Sequence, residues 1–228
     1  MIQQRLGNKR EVKYSYGSYN KFNDTEQWIR ITEGCPHNCP YCYEPTEIKM
    51  FGIPEIVRND VKIMDMNLLC KDKSLDIIKS LGEQRVKGKV VYYELICGID
   101  YRFLTQEIAN ELKKARFKKI RIAWDWFMRD QYAIKDGINK LLKAGYRNND
   151  IMIFMICNWK IPYKMNCEKL DLCKVWNVKV ADCYYDNQTF KTGVIPLFWT
   201  DKQNRTFKKN CRKHNQLVNF GIDPEVRL

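Results

Sequence analysis

Long apolar runs and histidine are both scarce in this sequence, and each shortage excludes a class of protein. No stretch of about 18 apolar residues occurs, so a membrane-spanning helix is not expected. Residues 1–7 contain no apolar signal core, so we expect a cytoplasmic rather than a secreted protein. Only two histidines occur among the 228 residues, His37 and His214. Two imidazoles are too few for a histidine-rich zinc or non-haem iron site.

Cysteine is abundant by comparison, with ten residues in the chain. In a protein that is not secreted, these cysteines do not predict a disulfide framework, because a reducing compartment keeps thiols free. Such thiols ligate metals, react, or pack as small buried side chains. Soft thiolate ligands favour iron–sulfur clusters or zinc. The cysteines therefore make a metal site the first expectation.

Positive charge is concentrated at the two ends of the chain, whose formal net charge is +13. Residues 1–22 hold five basic residues and one acidic residue, and residues 191–228 hold eight basic and three acidic residues. Such ends suit a polyanion or a phosphorylated substrate, although solubility or a lysine-rich coding bias explains them equally well. The tyrosines within residues 14–19 suit either base stacking or a short strand that covers the bottom of the fold.

Apolar periodicity predicts strands and helices that alternate from about residue 27 to about residue 185. Helices are expected from Ser74, as an N-cap, to Gly82, from Thr105 onward, after the fourth strand as far as Gly145, and through residues 170–176. The six expected strands are 27–33, 61–66, 89–97, 120–125, 151–158 and 178–185.

This alternation predicts an α/β fold whose parallel sheet is either doubly wound or curled into a barrel. Residues 1–228 would form one domain, with a core at about 27–185 and a basic C-terminal extension at 186–228, where no period is strong enough to predict an element. In both folds ligands gather at the C-terminal ends of the strands. The polar residues expected there are Asp65, Asn67, Asp100, Arg102, Asp125, Asn158 and Asp182.

The strongest local pattern is the cysteine loop, residues 34–45, which reads Gly-Cys-Pro-His-Asn-Cys-Pro-Tyr-Cys-Tyr-Glu-Pro. It directly follows the first expected strand, and Cys35, Cys39 and Cys42 have the spacing C-x3-C-x2-C. Three thiolates on a four-iron cluster leave one iron without a protein ligand. An open position of this kind binds and activates a small molecule, as at an open catalytic metal site.

The loop, with the aromatic Tyr41 before its last cysteine, resembles the signature of the radical S-adenosylmethionine (radical SAM) superfamily, and the resemblance covers about residues 27–185. It implies a partial (β/α)6 TIM-like barrel with short N- and C-terminal extensions. It also implies a [4Fe–4S] cluster on Cys35, Cys39 and Cys42, with S-adenosylmethionine chelating the open iron. An electron from a flavodoxin- or ferredoxin-type donor then yields methionine and a 5′-deoxyadenosyl radical, which abstracts hydrogen from the substrate.

The same resemblance implies contacts to S-adenosylmethionine. The backbone of Tyr41 would contact the adenine edge, and Asp125 would accept hydrogen bonds from the ribose hydroxyls, unless it is only a helix N-terminal carboxylate. Arg129 would pair with the methionine carboxylate as a charged fork, or is simply solvated. Asn158, at the end of the fifth strand, is a further candidate for cofactor binding.

After the second strand the sequence departs from the superfamily's usual Gly-Gly-Glu-Pro. Asp65-Met66-Asn67 is similar to branches that include methylthiotransferases and cobalamin-linked members, so Asp65 or Asn67 would take over the contact to the methionine amino group. Residues 98–102, Gly-Ile-Asp-Tyr-Arg, resemble the same branches. Asp100 and Arg102 are expected to face the barrel mouth, either as cofactor contacts or as a structural ion pair.

Two other interpretations of the cysteines stay open. A zinc site would need a fourth ligand, which His37 or Cys70 supplies. An auxiliary cluster would need three or four further cysteines to converge, and Cys167 and Cys173 do not have a ferredoxin spacing. The cysteines outside the loop are Cys70, Cys97, Cys157, Cys167, Cys173, Cys183 and Cys211.

Several functions are compatible with these patterns. The basic ends favour a radical enzyme that acts on a nucleic acid or a nucleotide, with no membrane partner. An activase that installs a glycyl radical on a partner protein is the second interpretation, because residues 35–39 resemble the loop of anaerobic ribonucleotide reductase activases. A radical enzyme for a small molecule and a non-catalytic metal-binding module are the remaining alternatives.

Overall fold

The computed structural model describes residues 14–186 and 193–222. The chain divides into two compact units, one formed by Met1–Phe103 with Glu111–Lys118 and the other by Leu104–Asn110 with Lys119–Leu228. The predicted basic ends are described only in part, because six of their basic residues lie outside the described ranges: Arg5, Lys9, Arg10, Lys13, Lys191 and Arg227.

The first unit contains a four-stranded sheet and two small hairpins. Its strands are β1 (Tyr19–Phe22), β2 (Gln27–Arg30), β3 (Thr32–Glu33), β4 (Lys49–Met50), β5 (Asp60–Ile63), β6 (Arg85–Val86), β7 (Lys89–Val90) and β8 (Tyr92–Leu95). The sheet has the order β1-β2-β5-β8, with β1 antiparallel to β2 and the other pairs parallel. Helix α1 (Ser74–Glu83) buries Ile77, Ile78 and Leu81, as an amphipathic helix on a core does.

The second unit is built on a three-stranded parallel sheet. After helix α2 (Gln106–Lys114), its elements are β9 (Ile120–Ala123), α3 (Gln131–Lys143), β10 (Ile151–Cys157), α4 (Tyr163–Val175), β11 (Lys179–Tyr184) and α5 (Asp201–Asn219). The sheet has the order β11-β10-β9. Strand β10 is the centre and is nearly all apolar, because both of its faces are covered.

The predicted α/β class is confirmed in outline. A strand lies within or across each of the six expected segments, but 27–33 divides into β2 and β3 and 89–97 divides into β7 and β8. In the part of the chain that the structure describes, both sheets are open and do not close into a barrel. The partial barrel implied by the superfamily therefore stays a prediction.

Three local predictions are corrected. Ser74 is the first residue of α1 rather than its N-cap, which is Lys73 without a side-chain cap. Gly82 does not end α1; a Cβ at this position would lie 3.1 Å from the Cβ of Ala115, so the glycine permits close packing instead. The C-terminal extension, for which no element was expected, contains the 19-residue helix α5. None of the helices in residues 14–186 and 193–222 is both long and apolar enough to cross a membrane.

Candidate metal centre

The cysteine loop leaves β3 and returns to β4, and hydrogen bonds join its two ends. The backbone N–H of Cys35 donates to the carbonyl of Pro45 at 2.8 Å. The N–H of Gly34 donates to Oε1 of Glu44 at 2.7 Å, and the Nζ of the buried Lys71 donates to the carbonyl of Gly34. The start of the loop is therefore held by residues from two other places in the chain.

Gly34 has a backbone conformation that only glycine adopts without strain. Its φ is +94°, and a Cβ there would lie 2.6 Å from the carbonyl carbon of Glu47 and 2.9 Å from the Cα of Ile48. Real Cβ atoms do not approach backbone this closely. The glycine before Cys35 is thus required by the return of the chain toward β4, and it sets the direction in which the loop leaves the hairpin.

The three cysteines are partly exposed and form no disulfide with another described residue. The N–H of Cys42 donates to the carbonyl of Cys39 at 3.0 Å. The N–H of Glu44 donates to the Sγ of Cys42 at 3.4 Å, and the Nδ2 of Asn67 donates to the Sγ of Cys35 at 3.6 Å. Hydrogen bonds of this kind stabilise thiolate sulfur and tune a cluster that is bound to it.

Cys35 and Cys70 lie close enough for the protonation of each thiol to affect the other. The hydrogen bond from Cys70, assisted by the backbone of His37 and by Asn67, lowers the pKa of Cys35 to about 5 although burial acts to raise it. The same hydrogen bond, together with burial, raises the pKa of Cys70. The lowered pKa of Cys35 favours its thiolate, the form that binds metals, and the raised pKa of Cys70 favours its thiol.

His37 is engaged with protein groups rather than open to a metal ion. Its Nε2 lies 2.6 Å from Oδ2 of Asp100. Arg102 grips the same carboxylate, Nε to Oδ1 at 2.8 Å and Nη2 to Oδ2 at 2.9 Å. Burial acts to raise the pKa of Asp100, but this fork and His37 hold it below its ordinary value. Asp100 and Arg102 therefore form an ion pair, and the contact of Asp100 with His37 links this pair to the cysteine loop.

The zinc interpretation gains no support from the described residues. Tetrahedral zinc brings all of its ligands to about 2.0–2.3 Å of one ion. Among the described residues, no group of three or more histidine, cysteine, aspartate and glutamate side chains is placed to hold a metal ion. A four-iron cluster makes a different demand, because each cysteine binds a different iron. The same finding offers no support for an auxiliary metal site within these residues.

Asp65 and Asn67 are the two residues expected to contact the methionine amino group. They differ in whether their side-chain oxygens already accept hydrogen bonds from the protein. Both oxygens of the buried Asp65 accept hydrogen bonds, Oδ1 from the N–H of Ile31 at 2.9 Å and Oδ2 from the N–H and hydroxyl of Thr32 at 2.7 and 2.5 Å. Asp65 therefore fills the gap between β2 and β3, which is the physical reason that the expected strand 27–33 divides.

Asn67 has an unused acceptor. Its Nδ2 lies 3.6 Å from the Sγ of Cys35 and 3.4 Å from Oδ2 of Asp100. Its Oδ1 is buried and has no hydrogen-bond partner among the described residues. A buried acceptor without a partner has the capacity to take a hydrogen bond from a bound ligand. The amino group of a bound S-adenosylmethionine is a donor of the required kind.

The second unit holds Asp125, Arg129 and Asn158. Asp125 is partly exposed after β9, and the Nζ of the buried Lys169 donates to the neighbouring carbonyl of Trp124 at 2.9 Å. Burial lowers the pKa of Lys169 to about 8, against the opposing charge of Asp125. Arg129 is largely exposed, and its Nε lies 3.8 Å from Oδ1 of Asp130. This exposure agrees with the alternative that Arg129 is simply solvated.

Asn158 is committed to protein structure. Its Nδ2 donates to the carbonyls of Tyr185 and Ile195 at 3.2 and 2.7 Å. Its Oδ1 accepts from the N–H groups of Leu197, Phe198 and Trp199 at 3.0 to 3.3 Å. The side chain has no hydrogen-bonding capacity left for a cofactor. Sequence reasoning placed it at a strand end but could not detect the segment that it holds.

The N-terminal tyrosines lie beside the cysteine loop rather than at the bottom of the fold. The N–H of Tyr14 donates to the carbonyl of Tyr43 at 3.0 Å, and the rings of Tyr16 and Tyr43 are 5.5 Å apart. Ser15 and Tyr16 both donate to the carboxylate of Glu33 at 2.6 Å. Residues 14–16 therefore cover the cysteine loop. They do not form the short strand at the bottom of the fold that was expected from residues 14–19.

Comparison with known proteins adds a likeness of fold. No family model and no curated protein sequence matches the chain. Among solved structures, the chain is similar to HydG, a maturase of the [FeFe]-hydrogenase, with a TM-score of 0.56 and 13% sequence identity. The match covers 84% of this chain and 50% of that one, so the chain spans half the length of HydG. At this identity the likeness shows the fold alone.

Proposed function

We propose that this chain is a radical SAM enzyme that holds a [4Fe–4S] cluster on Cys35, Cys39 and Cys42. The observation that carries the proposal is the cysteine loop, in which Cys35 lies 3.6 Å from Asn67, whose Oδ1 is a buried acceptor without a described partner. The fold that the chain shares with HydG, a radical SAM maturase, supports it. When bound, the cluster supplies the electron that splits S-adenosylmethionine into methionine and a 5′-deoxyadenosyl radical.

The residues of the chain prepare the site for this cofactor. The low pKa of Cys35 lets it bind iron at neutral pH without first losing a proton. The Asp100–Arg102 pair and His37 restrain the middle of the loop, while Glu44 and Lys71 restrain its base. A loop restrained at several points loses less conformational entropy when iron binds.

Four residues of the chain are proposed to contact S-adenosylmethionine. Asn67 would accept a hydrogen bond from the amino group, for the reason given above. The contacts of the Tyr41 backbone with adenine, of Asp125 with ribose and of Arg129 with the carboxylate rest on the superfamily resemblance. A flavodoxin- or ferredoxin-type protein is the proposed electron donor.

Asn67→Ala is expected to weaken S-adenosylmethionine binding by about 10- to 100-fold, because a hydrogen bond to a charged group is lost. Iron content should be unchanged, since the cysteines remain. Equilibrium binding to reconstituted protein measures the effect. Asn59→Ala is the matched control, because Asn59 bonds the carbonyl of Val90 at 2.8 Å in the β6–β7 hairpin. Unchanged affinity in a variant with full iron would remove the assignment.

Reduced, reconstituted protein is expected to release 5′-deoxyadenosine from S-adenosylmethionine, slowly when no substrate is present. This experiment tests the proposed function directly, and chromatography of the quenched mixture measures the product. Wild-type protein that carries a full cluster and yields no 5′-deoxyadenosine with any reductant would contradict the proposal. A non-catalytic metal-binding module would then be the better interpretation.

The proposed substrate is a nucleic acid or a nucleotide. Its support is the net charge of +13 and the concentration of basic residues toward the ends of the chain, because cations that neutralise phosphates give sequence-independent affinity. If pull-down experiments captured a partner protein and no cellular nucleic acid, the glycyl-radical activase would replace this part of the proposal.

A further inference from the structure

Helix α5 presents a continuous cationic side to solvent. Its exposed residues Arg205, Lys208, Lys209, Arg212, Lys213 and Gln216 line a shallow depression of about 490 Å³. They are spaced by three or four residues, so they occupy one side of the helix. We call these six residues the basic face.

The opposite side of α5 anchors it to β11. Phe207, Cys211 and Val218 are buried there. Nε2 of His214 lies 2.7 Å from the carbonyl of Val178. Asn215 bonds both backbone groups of Val180. The helix is thus fixed on the sheet of the second unit, and the basic face is a rigid surface.

Most charges of the basic face have no ion-pair partner among the described residues, although Lys208 and Arg212 act on Asp182 of β11, where their charges oppose the burial that raises its pKa. Arg205 pairs with Asp201, but within residues 14–186 and 193–222 no carboxylate forms an ion pair with Lys208, Lys209, Arg212 or Lys213. Like charges four residues apart, as at 208 and 212 or 209 and 213, destabilise a helix. A helix that served only as a cover would gain stability from acidic residues at such positions. The excess of cations on this side of α5 therefore points to an external anion.

An exposed aromatic ring continues the basic face at its C-terminal end. Phe220 is 77% exposed and lies four residues beyond Gln216, to whose carbonyl its N–H donates at 3.0 Å. The row 208, 212, 216 and 220 therefore carries two cations, an amide and a ring, spaced about 6 Å apart along the helix axis. Cations beside an exposed ring are the combination that binds single-stranded nucleic acid, through its phosphates and by stacking on a base.

We propose that the basic face and Phe220 form a binding surface for single-stranded nucleic acid. Lys208, Lys209, Arg212 and Lys213 bind phosphates, and Phe220 stacks on a base. An acidic protein would match the charge alone, so the ring favours nucleic acid over the electron donor at this surface. The proposal rests on the substrate class of the proposed function and deepens it, but the binding itself does not need the cluster.

The test is a titration of reconstituted protein with a fluorescent single-stranded uridine oligonucleotide at several salt concentrations. For single strands the slope of log affinity against log salt is about −0.7 per neutralised phosphate. The quadruple variant Lys208→Gln/Lys209→Gln/Arg212→Gln/Lys213→Gln should therefore flatten the slope by about 3. Lys73→Gln/Lys79→Gln/Lys89→Gln/Lys143→Gln is the matched control, because it removes the same charge from exposed lysines elsewhere and should change the slope little.

Phe220→Ala should weaken binding by about tenfold at every salt concentration and leave the slope unchanged, because stacking releases no counterions. Equal slopes for wild type and the α5 quadruple variant would overturn the phosphate contacts, as would equal flattening by the control quadruple variant. An effect confined to binding of an acidic ferredoxin-type protein would overturn the choice of partner. Duplex binding as tight as single-strand binding, with no effect of Phe220→Ala, would overturn the stacking contact.

The outcome is separable from the radical chemistry. Wild-type protein that binds no oligonucleotide but releases 5′-deoxyadenosine normally would refute this surface and leave the cofactor assignment intact. Salt-dependent binding by protein that takes up no iron would refute the cofactor assignment and leave the surface intact. Circular dichroism of each variant checks that α5 remains folded.

Discussion

Simultaneous replacement of Cys35, Cys39 and Cys42 by alanine is expected to abolish iron binding, whereas wild-type protein reconstituted without oxygen should hold about four irons per chain. The reason is local, because these three thiols lie in one restrained loop and thiolates are the protein ligands of such clusters. Iron and sulfide analysis, with the visible absorption of the cluster, measures the effect.

Two variants serve as controls for this experiment. Cys167→Ala/Cys183→Ala removes one partly exposed and one exposed thiol elsewhere and should keep the full iron content. Cys70→Ala should also keep it, because Cys70 donates to Cys35 rather than acting as a thiolate. Stoichiometric zinc without iron uptake in wild-type protein would refute the cluster, and full iron in the triple variant would refute these ligands.

Gly34→Ala should give the largest stability effect of a single methyl group in the first unit. At φ +94° a side chain is strained by about 1–3 kcal/mol, and the added Cβ would also collide with the backbone at Glu47 and Ile48. Relief of the collision must move the base of the cysteine loop. We expect a fall in Tm of about 10 °C together with loss of iron binding.

Gly52→Ala is the matched control for this change. Gly52 also has a positive φ, +82°, but a Cβ there would meet nothing within 4 Å. It should therefore show the backbone strain alone, with a smaller fall in Tm and normal iron binding. Calorimetry and iron analysis of the two variants separate strain from collision. Equal behaviour of Gly34→Ala and Gly52→Ala would contradict the proposed role of the close approach to Glu47.

The alternation of strands and helices could be predicted from the sequence, because apolar residues recur with different periods in strands and in helices. Strand β10 and helices α1 and α3 lie near their expected positions. The break at Ile31 was not readable, because the carboxylate that causes it belongs to Asp65, 34 residues away.

Helix α5 was missed although its sequence contains a start signal. Thr200 and Gln203 form a capping box, which is a local pattern. Its buried side includes Cys211, His214 and Asn204, so a search for apolar residues alone finds too weak a period. Counting cysteine and histidine as buried positions, and reading the cap, would have predicted the helix.

The sequence by itself identified the cysteine loop as the proposed chemical centre, since the spacing of Cys35, Cys39 and Cys42 is a property of one short segment. Only the tertiary structure decided how that loop is held and charged. Asp100, Cys70 and Lys71 contact loop residues that lie 35 to 63 residues away along the chain. The tertiary structure likewise showed that both polar atoms of the Asn158 side chain are used internally, whereas the Oδ1 of Asn67 has no partner among the described residues. Hydrogen-bond capacity is consumed by whichever groups the fold brings near, and residue type does not reveal those groups.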